Sequence, residues 1–421
     1  MKEKIKIGYI GLGRRGADVL NRCISEMPDV EIAMICDLYQ PLFEKINGIL
    51  KEKGRQEAIA TTDYRDILKN PEIDAVFVMT GWCGRTDIVK DAMRAGKYVG
   101  FEVGCAFDIQ ECYDLLRVYE QTKTPIMMLE NCCYGRFEMM ALNVKDKGLF
   151  GELIHAEGGY HHDLVSCREL FGNEEDEDRH YRIHSYMKRN CEQYPTHELG
   201  PICKVLGINR GNKMLTLSSF ASKAVALGER IIGKNGADGK WASFDYKQGD
   251  IITTIITCAN GQTIRLCLDT TAPRPHYSRN FTIRGSRGMC SEDSKVLFFD
   301  GMKEPCRNNL EEMYKTYDHP LHEEYVSLGE KGGHGGMDWL VCRAFVESVK
   351  NGRNTPIDAY DSILWLAIAP LSEASIELGG APVPVPDFTC GKWVDREPVT
   401  ESKYCLDKVV VDKTVSIFPE Q

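Results

Sequence analysis

No run of about 20 consecutive apolar residues occurs in the 421-residue chain, so no transmembrane helix is expected. No basic tract occurs either. Lys+Arg total 52 against 62 Asp+Glu, for a formal charge of −10, and nucleic acid and anionic membranes are not expected partners. There is no internal repeat and no low-complexity segment. The 17 cysteines contain no C-x-x-C pair, whereas structural zinc needs thiolates clustered at short spacing. Many, such as Cys36, Cys258, Cys267 and Cys342, sit inside apolar runs, so they read as reduced, buried thiols and the protein as cytoplasmic. The N-terminal apolar stretch is broken by Lys6, Gly8 and Gly11, which suits a strand and not a secretory leader.

What is present is ordinary globular composition, 43% hydrophobic and 27% charged, at a length for two or three domains. The first ~130 residues alternate short apolar runs with amphipathic stretches, the pattern of a parallel sheet covered by helices. Strands are expected at Ile5–Ile10, Glu31–Cys36, Ala75–Met79, Tyr98–Glu102 and Pro125–Leu129. Helical patterns lie between them. From about Glu152 the segments alternate β-branched and polar residues, which predicts an open, mainly antiparallel sheet. Helices return at Gly336–Lys350 and Tyr360–Leu378. The fold class is therefore α/β. Residues 1–133 form a Rossmann dinucleotide-binding domain, and 134–421 an α+β substrate domain whose last helices pack back on the first.

Gly11-Leu12-Gly13-Arg14-Arg15-Gly16 is a G-x-G-x-x-G motif between a predicted strand and a predicted helix. In that context Gly11 permits the tight turn, Gly13 lets a pyrophosphate approach the backbone, and Gly16 lets helix and strand pack closely. The helix start offers N–H groups and a positive dipole end to phosphate. Asp37 ends the second strand, where a carboxylate accepts from ribose hydroxyls and repels a 2′-phosphate. NAD is the expected cofactor.

A strand–glycine loop–helix followed by an open-sheet domain resembles the glucose–fructose oxidoreductase / inositol dehydrogenase superfamily. Most dehydrogenases of that group carry Glu-Lys-Pro after the fifth strand. Here Val103 replaces the lysine in Phe101-Glu102-Val103-Gly104, which argues against a simple alcohol dehydrogenase. Other runs point to one branch. They include Glu130-Asn131-Cys132-Cys133-Tyr134, Gly158-Gly159-Tyr160-His161-His162-Asp163-Leu164, Tyr194-Pro195-Thr196-His197 and Gly332-Gly333-His334-Gly335-Gly336-Met337-Asp338. Together they resemble glycoside hydrolase family 109, NAD-dependent α-N-acetylgalactosaminidases, over nearly the whole chain.

The resemblance implies hydrolysis without net redox change, through transient oxidation at sugar C3, loss of the C2 proton, departure of the C1 substituent, water addition and re-reduction. NAD-dependent enzymes stand outside the paired-carboxylate rule of ordinary glycosidases. The family's cofactor contacts fall on Arg14, Arg15, Asp37, Trp82, Arg85, Glu102, Val103, Asn131 and Tyr194. Its sugar contacts fall on Tyr160, Arg182, Tyr194, Pro195, Thr196, His197 and Tyr277.

Residue chemistry adds three candidates for catalysis. Tyr160 and His162 are two apart and share one strand face. His197 suits proton shuttling at O3 because imidazole titrates near neutrality. Thr196 reads as a helix N-cap. Arg182 reads either as a sugar contact or as a partner of the acidic 174–178 run. His161-His162-Asp163 lacks a third ligand nearby in sequence, so no metal is expected. The expected partner is a small glycoside or oligosaccharide, and an open sheet is a face through which two copies could pair. The competing readings are a net NAD-dependent sugar dehydrogenase, the same redox hydrolysis on another hexoside, and a non-catalytic sensor.

Overall fold

The computed structural model describes residues 2–171, 180–303, 307–327, 329 and 331–410. The acidic 174–178 run lies outside them. In the first domain the order is β1 (Ile5–Ile10), α1 (Arg14–Arg22), β2 (Val30–Cys36), α2 (Pro41–Glu52), β3 (Ile59–Thr61), α3 (Tyr64–Lys69), β4 (Ala75–Val78), α4 (Arg85–Arg94), β5 (Tyr98–Phe101), α5 (Ile109–Thr122) and β6 (Ile126–Met128). All six strands are parallel, in the order β3-β2-β1-β4-β5-β6. The strand order reverses between β1 and β4, and in such sheets ligands bind outside the strands' carboxyl ends at that reversal.

The second domain runs α6 (Arg136–Asp146), β7 (Leu153–His161), α7 (Tyr181–Lys188), α8 (Thr196–Leu206), β8 (Met214–Ala221), α9 (Ala226–Asn235), β9 (Ile251–Cys258), β10 (Thr263–Asp269), β11 (Thr282–Gly285), β12 (Gly288–Ser291) and β13 (Val296–Phe299). It closes with α10 (Leu310–Tyr317), α11 (Pro320–Ser327), α12 (Met337–Asn351), α13 (Ala359–Glu377) and β14 (Val383–Pro384). Its eight-stranded sheet has the order β13-β12-β11-β7-β10-β9-β8-β14 and is antiparallel except where β7 meets β10. One face is covered by α8 and α13. A Cβ on Gly158 would meet the Glu198 side chain, and the Ser219 N–H donates to Ser375 Oγ at 2.9 Å. The other face is open and carries exposed Ile154, Phe220 and Ile255 among polar neighbours.

The last two long helices return to the first domain. α12 lays Phe345 edge-on to Phe77 of β4, with ring centroids 5.1 Å apart, and against Gly100 of β5. Its Arg343 forms a bidentate pair with Asp29 at 2.7 Å on both arms. α13 is apolar around almost its whole circumference and is correspondingly buried on nearly every side. Among the described residues, no helix is long and apolar enough to cross a membrane.

Candidate active site

The glycine loop leaves β1 at the carboxyl edge of the sheet. Gly11 adopts φ +97°, and a Cβ there would lie 2.7 Å from the Met79 carbonyl carbon. A Cβ on Gly16 would sit 2.2 Å from the Gly11 carbonyl oxygen. At Gly13 a Cβ would meet nothing within 4 Å. Thus two glycines are required by protein packing, whereas the third faces open space at the start of α1. That start has no side-chain cap, which suits a phosphate. Asp37 braces the loop: its carboxylate accepts from Leu12 N–H at 2.7 Å and Tyr39 N–H at 2.9 Å. A carboxylate has room for further acceptor bonds, so ribose hydroxyls remain compatible with this arrangement. The residues present fit a dinucleotide.

Arg15 turns across the cleft. Its guanidinium pairs with Glu102 at 3.1 Å and in bidentate fashion with Asp338 at 2.7 and 2.8 Å. The same Asp338 carboxylate, almost wholly buried, accepts from Asn131 Nδ2 at 2.7 Å and meets His334 Nδ1 at 2.8 Å. One carboxylate of the second domain therefore ties together two cofactor-side candidates, Arg15 and Asn131, and the glycine-rich strap. Arg85 is buried and donates to the main-chain carbonyls of Glu102 and Val103. Trp82 packs on Tyr181 and faces Tyr194 at a ring separation of 6.2 Å. Arg14 stays exposed at the lip.

Beside this cleft stands a cluster built by the end of β7, the start of α8 and the segment after β10. The Tyr160 and Tyr194 rings are 4.5 Å apart, Tyr194 and His197 4.9 Å, and Tyr160 and His197 5.6 Å. Tyr160 OH and His162 Nδ1 share a hydrogen bond at 3.0 Å. Tyr277, half exposed, closes the side 5.0 Å from the His162 ring. The Arg182 guanidinium lies 5.1 Å from the Tyr194 ring and pairs with Glu169 at 3.4 Å. Burial holds the Tyr160 phenol well above its ordinary pKa, so the hydroxyl is protonated. Burial also holds the His162 imidazole below its usual value, favouring the neutral ring.

His197 is oriented from behind. Its Nδ1 lies 2.7 Å from Glu130 Oε1, and that oxygen also accepts from Cys132 N–H at 3.0 Å. Burial alone would push the Glu130 pKa up. The His197 imidazole and the hydrogen bonds around it outweigh this and hold the carboxyl below its usual range. An ionised carboxylate can only accept, so the proton sits on Nδ1 and the Nε2 lone pair is left for base work.

The chain matches a family model described as the C-terminal domain of glycosyl hydrolase 109 over residues 134–395. The chain belongs to glycoside hydrolase family 109. Residues 5–129 match the NAD-binding Rossmann fold of the oxidoreductase family. An α-N-acetylgalactosaminidase of Tannerella forsythia is 36% identical over 94% of this chain and 88% of its own length. A family 109 protein of Parabacteroides distasonis is 35% identical over 94% of this chain and 89% of its own. Among solved structures, levoglucosan dehydrogenase in complex with NADH superposes with a TM-score of 0.69 at 16% identity, over 91% of this chain and all but 1% of that one. That likeness speaks to the fold. This member of family 109 is an NAD-dependent glycosidase.

The residues singled out from sequence thus gather in one cleft. Two details differ. Pro195, not Thr196, takes the cap position of α8, and Thr196 is buried in its first turn. Arg182 pairs with Glu169, and the acidic run proposed as its partner lies outside the described residues. Glu130 and Asp338 received no role from sequence, although both stand behind the groups that did. Glu130 carried a signal: it follows the apolar run of β6 at the sheet's carboxyl edge, where α/β folds place functional groups.

Proposed function

We propose that this glycosidase cleaves α-N-acetylgalactosaminides by transient oxidation of the sugar at C3. The observation that carries the reading is His197, backed by buried Glu130 and packed edge-on to the Tyr160 and Tyr194 rings, beside an open glycine cradle. The sugar is supported by the name of the Tannerella forsythia relative. Gly11, Gly13, Gly16 and the start of α1 would hold the pyrophosphate, and Asp37 a ribose. Arg14, Arg15, Trp82, Arg85, Glu102, Val103, Asn131 and Tyr194 border the remainder. When bound, NAD⁺ supplies a reversible hydride acceptor for sugar C3.

His197 Nε2 takes the O3 proton, and Glu130 stabilises the imidazolium that forms. With a ketone at C3, the C2–H becomes acidic enough for a neutral base. The Tyr160 oxygen receives that proton as its own passes to His162 Nδ1 along the 3.0 Å hydrogen bond. Tyr277 and Arg182 border the sugar side, and Pro195 and buried Thr196 back it at the start of α8. The C1 substituent leaves by elimination, so no second carboxylate is needed at displacement distance. Val103 stands where a dehydrogenase would carry its lysine, which removes a competing acid at the nicotinamide end.

The test uses the purified protein without added cofactor, a nitrophenyl α-N-acetylgalactosaminide, and simultaneous detection of phenol and reduced nicotinamide. Many turnovers with no net reduced nicotinamide are expected. Reduced nicotinamide accumulating only with added NAD⁺ would replace this reading with a net dehydrogenase. Turnover of other hexosides alone would keep the chemistry and change the sugar.

A further inference from the structure

His162 lacks a third ligand in the local sequence, yet the fold supplies one. After β7 the chain turns through 163–170, and this turn brings Cys167 and Glu169 back onto the His162 ring. An imidazole nitrogen, the Cys167 sulfur and a Glu169 carboxylate oxygen lie within 4.8 Å of one another. His162 Nε2 and Cys167 Sγ are 3.7 Å apart. Asp163 is not part of the group, because Arg230 holds both its oxygens in a bidentate pair.

We infer that His162, Cys167 and Glu169 form a zinc-class metal site whose occupation arrests the enzyme. Nitrogen, sulfur and oxygen donors in one three-residue set suit Zn²⁺ with a fourth position left for water. The spacing also fits. Zn–S of about 2.3 Å and Zn–N of about 2.0 Å at a tetrahedral angle put the two donors about 3.5 Å apart. The other mixed set in the cleft, Glu130, Cys132 and His197, fails this measure. Its nitrogen and oxygen are 2.7 Å apart, a hydrogen-bond distance, whereas two ligands of one zinc would be about 3.4 Å apart. Cys167 is exposed, which leaves an entry path; Cys132 is buried.

The arrest follows from proton accounting. The proposed relay requires Nδ1 to accept from Tyr160, which leaves the ring proton of the metal-free state on Nε2. A divalent ion bound at Nε2, Sγ and the carboxylate displaces the thiol proton to solvent. The ring proton moves from Nε2 to Nδ1. Nδ1 then donates to the Tyr160 oxygen and can no longer take its proton. The charge of the site rises by one, and no redox change occurs. Binding stands on the geometry alone, whereas the arrest rests on the proposed glycosidase reading.

The experiment titrates the purified holoenzyme with Co²⁺ and follows the d–d and thiolate-to-metal bands, then repeats turnover with Zn²⁺. One equivalent should give a four-coordinate cobalt spectrum with a thiolate band, lost in Cys167→Ala and kept in Cys132→Ala. Equimolar Zn²⁺ should lower turnover about a hundredfold, the scale of a lost proton-transfer step, and a chelator should restore it. Absence of the spectrum, or its survival in Cys167→Ala, overturns the site. The spectrum without inhibition overturns the arrest. The spectrum in a protein that cleaves no glycoside leaves the site standing and removes the catalytic reading beneath it.

Discussion

At the scale of single residues, the cleft assigns its work by burial and partner. His197→Ala should lower kcat by about 10²- to 10⁴-fold, the usual weight of a positioned base. Glu130→Gln is the sharper test. The amide can donate where the carboxylate only accepts, so the His197 tautomer is no longer fixed, and a loss in the same range is expected with little change in KM. A fall in KM alone, or unchanged kinetics, would remove Glu130 from the mechanism. The two glycines of the loop should separate from each other. Gly13→Ala should leave Tm nearly unchanged, because its Cβ meets nothing, yet the protein should purify with little NAD. Gly16→Ala should lower Tm, because its Cβ would collide with backbone. Cofactor content by acid extraction beside a thermal melt reads both.

Among the elements, α12 is held to the first domain at its far end by a buried charge cluster around Asp29. Burial would raise the Asp29 pKa, but Arg343 and Lys350 outweigh it and hold the carboxyl at about 2. A depressed carboxylate stabilises above its unfolded pKa near 4 and loses that contribution as pH falls through about 2. The contribution is roughly 2 kcal/mol. Urea midpoints should therefore drop between about pH 4 and pH 2, and Asp29→Asn should flatten that slope while destabilising the protein at neutral pH. A variant with the wild-type slope would contradict the assignment.

The elements differ in how far sequence reveals them, for physical reasons. β1, β2, β4, β5 and β6 are nearly continuous apolar runs, broken only by Lys6, Glu31 and glycines, because both faces of their sheet are covered. β3, three residues at the sheet edge with Ile59 mostly exposed, has no such pattern. β12 and β14 are too short, and too rich in glycine or proline, to read as strands. The Tyr160–His162 pairing is visible in a period of two. The partnership of His197 with Glu130 spans 67 positions and leaves no local trace.

On the scale of the whole molecule, Asp338 is the joint between the domains. It reaches Arg15 across 323 positions and Asn131 across 207. Asp338→Asn weakens both contacts and the one to His334. The expected outcome is faster loss of NAD on gel filtration, with activity restored by added NAD⁺. Retention equal to the wild type would make the joint purely structural.

The return of α12 also imposes an order in time. Sheet residues Phe77 and Gly100 are complete when the first third of the chain has been made, but Phe345, which covers them, is 217 positions beyond Met128. At ribosomal rates that interval is roughly 10–40 s. Throughout it the nascent nucleotide-binding domain presents an uncovered apolar sheet face. A truncated chain ending near residue 133 would keep that face exposed permanently. The cofactor domain of this enzyme is thus recognisable as a unit of architecture while depending, as a unit of synthesis, on the last quarter of the polypeptide.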